Sequence, residues 1–137
     1  MQRVTLKGRR IVEGRCRAKA LVSTRPISFL GGVDQSDGKV IDKTHDLYGK
    51  CVKNTVLCFP YGRGSTVGSY VLYSLAKKKL APKAILNQTA DPVVVVGAII
   101  ANIPMIDKVD ICRICTGDLV EVDADKGSVE VVKRKEN

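Results

Sequence analysis

The sequence predicts an α/β fold in which a β-barrel-like or sandwich layer is joined to a short parallel sheet with flanking helices. Two observations predict it. In the middle of the chain, short apolar strand patterns alternate with helical patterns in the order β-α-β-α-β, which indicates at least three parallel strands with right-handed crossovers. At both ends of the chain the patterns are those of strands alone.

The composition is that of one globular domain spanning residues 1–137, because 45% of the residues are apolar and 27% are charged. The longest apolar run, residues 93–106, is shorter than the roughly 20 residues that a membrane span needs, so we predict that it is core. No apolar signal segment is visible at the N-terminus. The chain has five cysteines, an odd number. Together with the lack of a visible signal segment, this number favours reduced thiols in the cytoplasm.

The positive charge of the chain is concentrated near its start. The net charge is +9, and residues 1–25 carry eight Lys and Arg residues against Glu13 alone. A second basic cluster lies at residues 77–83. Such an excess suits an acidic partner, whether a phosphorylated metabolite, a nucleic acid or an acidic protein surface. A solvated basic face explains the same charges equally well.

The first part of the chain reads as short strands followed by a long loop. Strands are predicted at residues 4–6 and 10–13, and at residues 15–22, where basic residues alternate with small apolar ones. Residues 23–53 are rich in glycine and turn residues and have little regular pattern. A loop of this length in a small domain is usually functional or packed over a site.

The central stretch, residues 54–76, has the pattern strand, glycine-rich turn, helix. A β-branched apolar run ends at Pro60, three glycines follow within seven residues, and helical spacing of apolar residues begins near Ser69. Such a turn brings backbone N–H groups and the positive end of a helix dipole to one place. We expect an anion to be held there and a hydroxyl there to lose its proton more readily than in water.

The turn G-R-G-S-T-V-G is nevertheless only moderately specific as a pattern. It is neither a Walker A motif nor a dinucleotide-binding fingerprint. It could serve only to connect strand and helix, with Ser65 or Thr66 as the helix N-cap. From spacing alone, function and structure are about equally well supported.

The remaining elements complete the α/β order and then return to strands. A strand is predicted at residues 84–86, a helix from the Asp91-Pro92 pair to Ala101, and a strand at residues 104–106. The β-branched content of the helical segment would also suit a strand. Two further strands flank the turn A-D-K-G as a hairpin and precede a charged tail.

Cysteine and histidine give no convincing metal or redox site. Cys112 and Cys115 form a single C-x-x-C, and a tetrahedral zinc site would need two further ligands. We therefore interpret these cysteines as structural and expect no metal in this chain. His45 is the only histidine, and its position in a polar loop suggests a surface residue without a chemical role.

Two other functional classes remain open at this point. The basic N-terminal region could bind RNA, although the aromatic content of 4% offers few stacking platforms and no RNA-binding motif is present. A zinc-stapled scaffold is the other, and it would show stoichiometric zinc in the isolated chain.

Four motifs in one order resemble a known family. They are P-I-S-F-L-G-G-V-D at residues 26–34, D-x-x-H-x-L-Y-G at 42–49, F-P-Y-G-R-G-S-T-V-G-S-Y at 59–70, and A-D-P followed by G-A-I-I-A-x-I-P within 90–104. Together they resemble the small subunit of aconitase X, over roughly residues 9 to 107. The resemblance implies a swivelling β/β/α domain, in agreement with the mixed architecture above.

The resemblance also implies that this chain is half of an enzyme. A larger aconitase-X-type subunit would complete a heterodimer and hold a [4Fe-4S] cluster, so no cofactor is expected in this chain. The implied reaction is dehydration of (R)-5-phosphomevalonate to trans-anhydromevalonate 5-phosphate in the archaeal mevalonate route to isoprenoids. Family members with fused subunits act on cis-3-hydroxyproline, and the separate small chain here favours the phosphomevalonate activity.

Carried onto this sequence, the family's serine at the G-R-G-S turn is Ser65, the expected proton acceptor. Arg63, Gly64 and Thr66 would bind substrate and shape the anionic surroundings of that serine. Ser69, one helical turn further on, is the alternative serine if Ser65 only caps the helix. We expect the isolated chain to be inert.

Overall fold

In the computed structural model, which describes residues 2–133, eight β-strands form one mixed sheet. The strands are β1 (Gln2–Lys7), β2 (Arg9–Val12), β3 (Arg15–Val22), β4 (Val56–Phe59), β5 (Ala84–Asn87), β6 (Met105–Asp107), β7 (Leu119–Asp123) and β8 (Ser128–Lys133). Their order in the sheet is β1-β8-β7-β3-β4-β5-β6-β2. β1 and β2 lie at opposite ends of this order but are separated in the chain by Gly8 alone, so the chain joins the two edges. The last residues of the predicted charged tail lie outside the described residues.

The long strand β3 belongs to both halves of the sheet. Residues 15–19 pair antiparallel with β7, whereas residues 20–22 pair parallel with β4. From there β4, β5 and β6 continue in parallel, and β2 adds an antiparallel edge to β6. The predicted combination of a barrel-like layer and a short parallel sheet is therefore confirmed.

The helices cover one face of the parallel strands. They are α1 (Phe29–Gly32), a single irregular turn, α2 (Gly68–Lys77) and α3 (Pro92–Ala101). At the start of α3, Asp91 Oδ1 accepts hydrogen bonds from the backbone N–H groups of Val93 and Val94 at 3.0 and 3.3 Å. Asn102, with a φ of 57°, ends the helix. These caps outweigh the strand preference of the valines and isoleucines between them, and the predicted helix is confirmed.

The apolar core has two parts, one on each side of the parallel sheet. Successive residues of a strand point to opposite faces, and β4 shows this clearly. Val56 and Cys58 face the interior of the barrel, whereas Leu57 and Phe59 face the helices. All four are fully buried. The sheet is therefore the shared wall between the barrel core and the helical core.

The apolar run at residues 93–106 is only partly core, contrary to the sequence prediction. Val96, Ile99 and Ile100 on α3 are 48%, 57% and 41% exposed. A helix packed on one face of a sheet buries only one side, and here the outer side is apolar as well. Within residues 2–133, no helix combines the length and apolar composition that crossing a bilayer requires.

An ion pair between a buried carboxylate and an exposed arginine fixes the end of β6. Asp107 is 1% exposed, and its two carboxylate oxygens accept hydrogen bonds from Arg9 Nε and Nη2 at 2.9 and 2.8 Å. A third comes from the backbone N–H of Ala90 at 3.0 Å. Burial pushes the pKa of Asp107 upward, but the hydrogen bonds outweigh burial and hold that pKa below its ordinary value. This carboxylate ties β2 and β6 to the loop that leads into α3.

Candidate functional site

The glycine-rich turn carries the chain from the buried end of β4 to the start of α2. Gly64 has a φ of +98°, and a Cβ added there would lie 2.5 Å from Ser28 Oγ. Gly62 lies against α3, where an added Cβ would overlap the side chain of Val94. Both glycines are therefore required by the close approach of neighbouring segments, and at Gly64 also by the backbone conformation.

The four predicted site residues are consecutive and exposed: Arg63, Gly64, Ser65 and Thr66. Ser65 Oγ accepts a hydrogen bond from the backbone N–H of Val67 at 3.2 Å. The backbone N–H groups of Gly64, Ser65 and Thr66 donate to no other group within residues 2–133. The turn therefore carries an accessible hydroxyl next to unpaired N–H groups, whose dipoles favour negative charge nearby.

The structure bears on two other roles for serines near the turn, namely capping of α2 and a reactive role for Ser69. α2 begins at Gly68, and Thr66 makes no side-chain cap bond. Val67 already has helical backbone angles, and its N–H donates to Ser65 Oγ at 3.2 Å, so Ser65 caps the turn that leads into α2 while its hydroxyl stays exposed. Ser69 is 4% exposed, and its hydroxyl donates to the Val93 carbonyl at 2.6 Å. Ser69 therefore joins α2 to α3 and is not open to a substrate.

The long loop packs directly against the turn. Ile27 forms a parallel β-bridge with Gly62, and its N–H donates to the Tyr61 carbonyl at 3.3 Å. In return, the N–H of Arg63 donates to the Ile27 carbonyl at 3.1 Å. The predicted placement of this loop over a site thus has a physical basis, since the loop supports the backbone on both sides of Gly62.

His45 holds the loop together, and its interpretation as a surface residue is wrong. Its side chain is 8% exposed. Nδ1 lies 3.1 Å from both the backbone nitrogen of Leu47 and Asp46 Oδ1, and Nε2 lies 3.1 Å from the Pro26 carbonyl oxygen. A lone histidine in a polar loop has no periodic pattern, so no sequence signal marks this role.

A serine and an aspartate lie beside His45, but they do not form a nucleophilic site. Ser23 is fully buried, and its hydroxyl donates to Asp46 Oδ1 at 2.6 Å. Its oxygen also accepts from the N–H of Arg25 at 2.9 Å. A hydroxyl with these partners and no access to solvent stabilises the loop instead of attacking a substrate.

The cysteines do not converge on one place. Cys112 lies within a short 3-10 turn (Ile111–Arg113), Cys115 follows it, and both are exposed. Cys58 lies inside the barrel, where burial raises the pKa of its thiol. In the part of the chain that the structure describes, no three side chains of the His, Cys, Asp and Glu types lie close enough to hold a metal ion.

The basic strands are balanced by acidic residues on their neighbours. The ion pairs join Arg3 to Glu130 at 3.2 Å, Arg15 to Asp125 at 3.4 Å and Arg17 to Glu121 at 3.7 Å. These side chains are well exposed, so each pair contributes little stability, but the pairs reduce the net field of this face. The positive potential of this face is therefore lower than the number of Lys and Arg residues in the sequence indicates, and the face is less suited to binding nucleic acid.

Comparison with known proteins gives consistent similarities. Residues 5–131 match the family described as the aconitase X swivel domain. The chain is 56% identical over 126 residues to the phosphomevalonate dehydratase small subunit of Thermococcus sibiricus, an alignment that covers 92% of this chain and 97% of that one.

Solved structures show the same family similarity as the sequence comparisons. The crystal structure of Thermococcus kodakaraensis aconitase X in its holo-form is similar with a TM-score of 0.93 and 49% identity, covering 95% of this chain and 99% of that chain. The 3-isopropylmalate dehydratase LeuD of Methanocaldococcus jannaschii has a TM-score of 0.59 at 16% identity over 90% of this chain and 84% of that chain, which shows a common fold alone.

Proposed function

The chain belongs to the aconitase X swivel-domain family, and from this premise we propose that residues 1–137 form one swivelling domain, the small subunit of a phosphomevalonate dehydratase. The complex would convert (R)-5-phosphomevalonate to trans-anhydromevalonate 5-phosphate in the cytoplasm. The observation that carries the proposal is the exposed hydroxyl of Ser65 on a turn with three unpaired backbone N–H groups among the described residues. The name of the 56% identical relative favours this substrate over a hydroxyproline.

Ser65 would act as the base. Dehydration next to a carboxylate removes a proton from the carbon beside that carboxylate, and a serine can accept it only if its alkoxide is stabilised. The Val67 N–H already donates to Ser65 Oγ at 3.2 Å, and Arg63 adds a positive charge two residues away. Arg63, Gly64 and Thr66 would bind the substrate's anionic groups through the guanidinium and the free N–H groups.

The iron–sulfur cluster that the family implies would belong to the larger subunit. The described residues offer no ligand set for it, because their cysteines do not converge. When bound there, a [4Fe-4S] cluster supplies a Lewis acid for the leaving hydroxyl. The part assigned to this chain is limited to binding, orientation and proton transfer at Ser65.

The larger subunit would cover the apolar surface beside the turn. Among the described residues, every exposed large hydrophobic side chain lies within residues 30–100, and none lies on β1, β3, β7 or β8. A groove of about 420 Å³ runs from the first turn of α2 along α3 to Ile100, and no charged side chain lines it. Thr66 lines this groove, so it begins one residue from Ser65. Ser65 would act on a substrate that the larger subunit also contacts, so the surface beside Ser65 must face that subunit. We therefore assign the larger subunit as the partner that fills the groove.

We expect Val96→Asp to weaken assembly with the larger subunit by at least about tenfold, because it buries a carboxylate in an apolar contact. Val96 is 48% exposed, so the stability of the isolated chain should change little. The measurement is the dissociation constant of the two purified subunits. Lys7→Gln, on the exposed face of β1, lowers the net charge equally and should leave assembly intact. Unchanged assembly of Val96→Asp would place the interface elsewhere.

The function is tested by co-expressing the chain with an aconitase-X-type large subunit and assaying the complex without oxygen. With 5-phosphomevalonate we expect trans-anhydromevalonate 5-phosphate, identified by mass and by its vinylic proton, and no product from either subunit alone. Turnover of cis-3-hydroxyproline in place of phosphomevalonate would assign the chain to the other activity of the family. Salt-sensitive RNA binding without any association with the larger protein would indicate a binding module instead.

A further inference from the structure

Beside the serine turn lies a second, smaller cleft, which shares Arg63 alone with the roles proposed above. It measures about 220 Å³ and is lined by Arg25, Pro26, Asp42, Thr44, His45 and Arg63. Its lining comes from three separate segments, namely the start of the long loop, the D-x-x-H motif and the glycine-rich turn. Two guanidinium groups from different segments therefore share one cleft.

A hydrogen bond orients the guanidinium of Arg25, and both arginines have free donors. Arg25 Nη1 donates to the Thr44 carbonyl at 2.7 Å, which orients the guanidinium and leaves its other N–H groups unused within residues 2–133. The Arg63 backbone is fixed by its N–H bond to Ile27, and its guanidinium has no ion-pair or hydrogen-bond partner among those residues. An oriented guanidinium with spare N–H groups is the usual ligand of a phosphate or carboxylate.

The charge of the cleft stays positive although it contains one carboxylate. Asp42 Oδ1 accepts from the Thr44 hydroxyl and N–H at 2.7 and 2.9 Å. These hydrogen bonds, first the hydroxyl and then the N–H, hold the pKa of Asp42 below its ordinary value, so it is ionised at neutral pH. The two arginines exceed this single negative charge, and His45 is occupied in holding Pro26.

The geometry points to this cleft as the binding site for the substrate's phosphate, with Arg25 and Arg63 as its ligands. This inference rests on the proposed function for the identity of the substrate. Arg63 is two residues from Ser65, which puts their Cα atoms at most about 7 Å apart. In extended 5-phosphomevalonate the phosphorus lies about 6 Å from the carbon that loses the proton. A phosphate held by Arg25 and Arg63 therefore leaves that carbon within reach of the serine turn.

The test uses Arg25→Gln and Arg25→Lys in the reconstituted complex. We expect Arg25→Gln to raise the KM for 5-phosphomevalonate at least about tenfold while kcat changes much less, because it removes charge-assisted hydrogen bonds to a remote group. Arg25→Lys should restore part of the loss. Arg17→Gln, on the outer face of the barrel, is the matched control and should behave as wild type. An unchanged KM in Arg25→Gln would overturn the assignment.

A measurement on the isolated chain separates failure of the cleft from failure of the proposed function. Inorganic phosphate should raise the melting temperature of the wild-type chain and of Arg17→Gln, but not that of Arg25→Gln. If the complex does not dehydrate phosphomevalonate and phosphate still binds, the substrate is wrong and the anion site stands. If phosphate stabilises Arg25→Gln as much as wild type, the cleft is not the anion site.

Discussion

We expect Ser65→Ala to lower the turnover of the assembled enzyme by a factor of about 10²–10⁴, the range that a positioned acid or base contributes. The hydroxyl is exposed, and its one hydrogen bond is to the backbone N–H of Val67 at the surface. Removing it loses that one bond and should lower the free energy of unfolding by about 1 kcal/mol, too little to unfold the chain. The measurements are kcat under anaerobic conditions and the dissociation constant of the complex, which should stay the same.

The controls separate loss of a base from a disturbed turn. Ser74→Ala removes a hydroxyl from the half-buried part of α2, away from the turn, and should leave kcat unchanged. Ser69→Ala removes the hydrogen bond to Val93 and should lower stability more than it lowers kcat. If Ser65→Ala keeps more than half of the wild-type rate, the proton goes to another group and the turn only binds substrate.

Local signals predicted most of the secondary structure. The Asp91-Pro92 pair predicted the start of α3 because an N-cap acts within its own first turn, and the structure shows its two hydrogen bonds. The alternation of basic and small residues predicted β3 over the residues that it occupies. Both signals depend only on neighbours a few residues apart, which is why a single sequence contains them.

The strand order of the sheet could not be predicted in the same way. β1 and β2 are neighbours in sequence, yet β1 pairs with β8 and β2 with β6. Both pairings join residues about 100 or more positions apart and depend on which long-range contacts bury the most apolar surface. The exposure of the apolar outer side of α3 could not be predicted either, because periodicity does not distinguish a face buried in the core from a face that another protein covers.

At the site, the sequence located the turn but left open which serine is accessible. Helical spacing could have helped, since Ser69 lies three residues before Leu72 and so shares its face. Leu72 is fully buried, and Ser69 is buried with it. The cleft of Arg25 and Arg63 could not be found, because it is assembled by residues 38 positions apart in a loop without a repeating pattern.

The serine turn keeps its position because α2 and α3 approach closely at Gly97, and we expect Gly97→Leu to lower the free energy of unfolding by about 2–3 kcal/mol. A Cβ at this position would lie 2.6 Å from Leu72 Cδ1 and 3.2 Å from the Ser69 Cα. Leu72 is fully buried and has no free space to enter, and the Ser69 Cα moves only if α2 moves. Replacing a helical glycine gains about 1 kcal/mol of propensity, which is too little to offset the overpacking.

Denaturant unfolding of the isolated chain measures the loss in the free energy of unfolding, and two further variants serve as controls. Gly97→Ala places the same Cβ against Leu72 and Ser69 but adds nothing beyond it, so it should lose less stability than Gly97→Leu. Val96→Leu adds bulk on the exposed side of α3 and should be neutral. Because α2 begins at Gly68, directly after the turn, a displaced α2 also displaces Ser65, so the assembled Gly97→Leu enzyme should lose turnover even where it is fully folded. If the Gly97→Leu chain is as stable and active as wild type, α2 and α3 can accommodate the larger side chain. The position of Ser65 would then depend on the long loop alone.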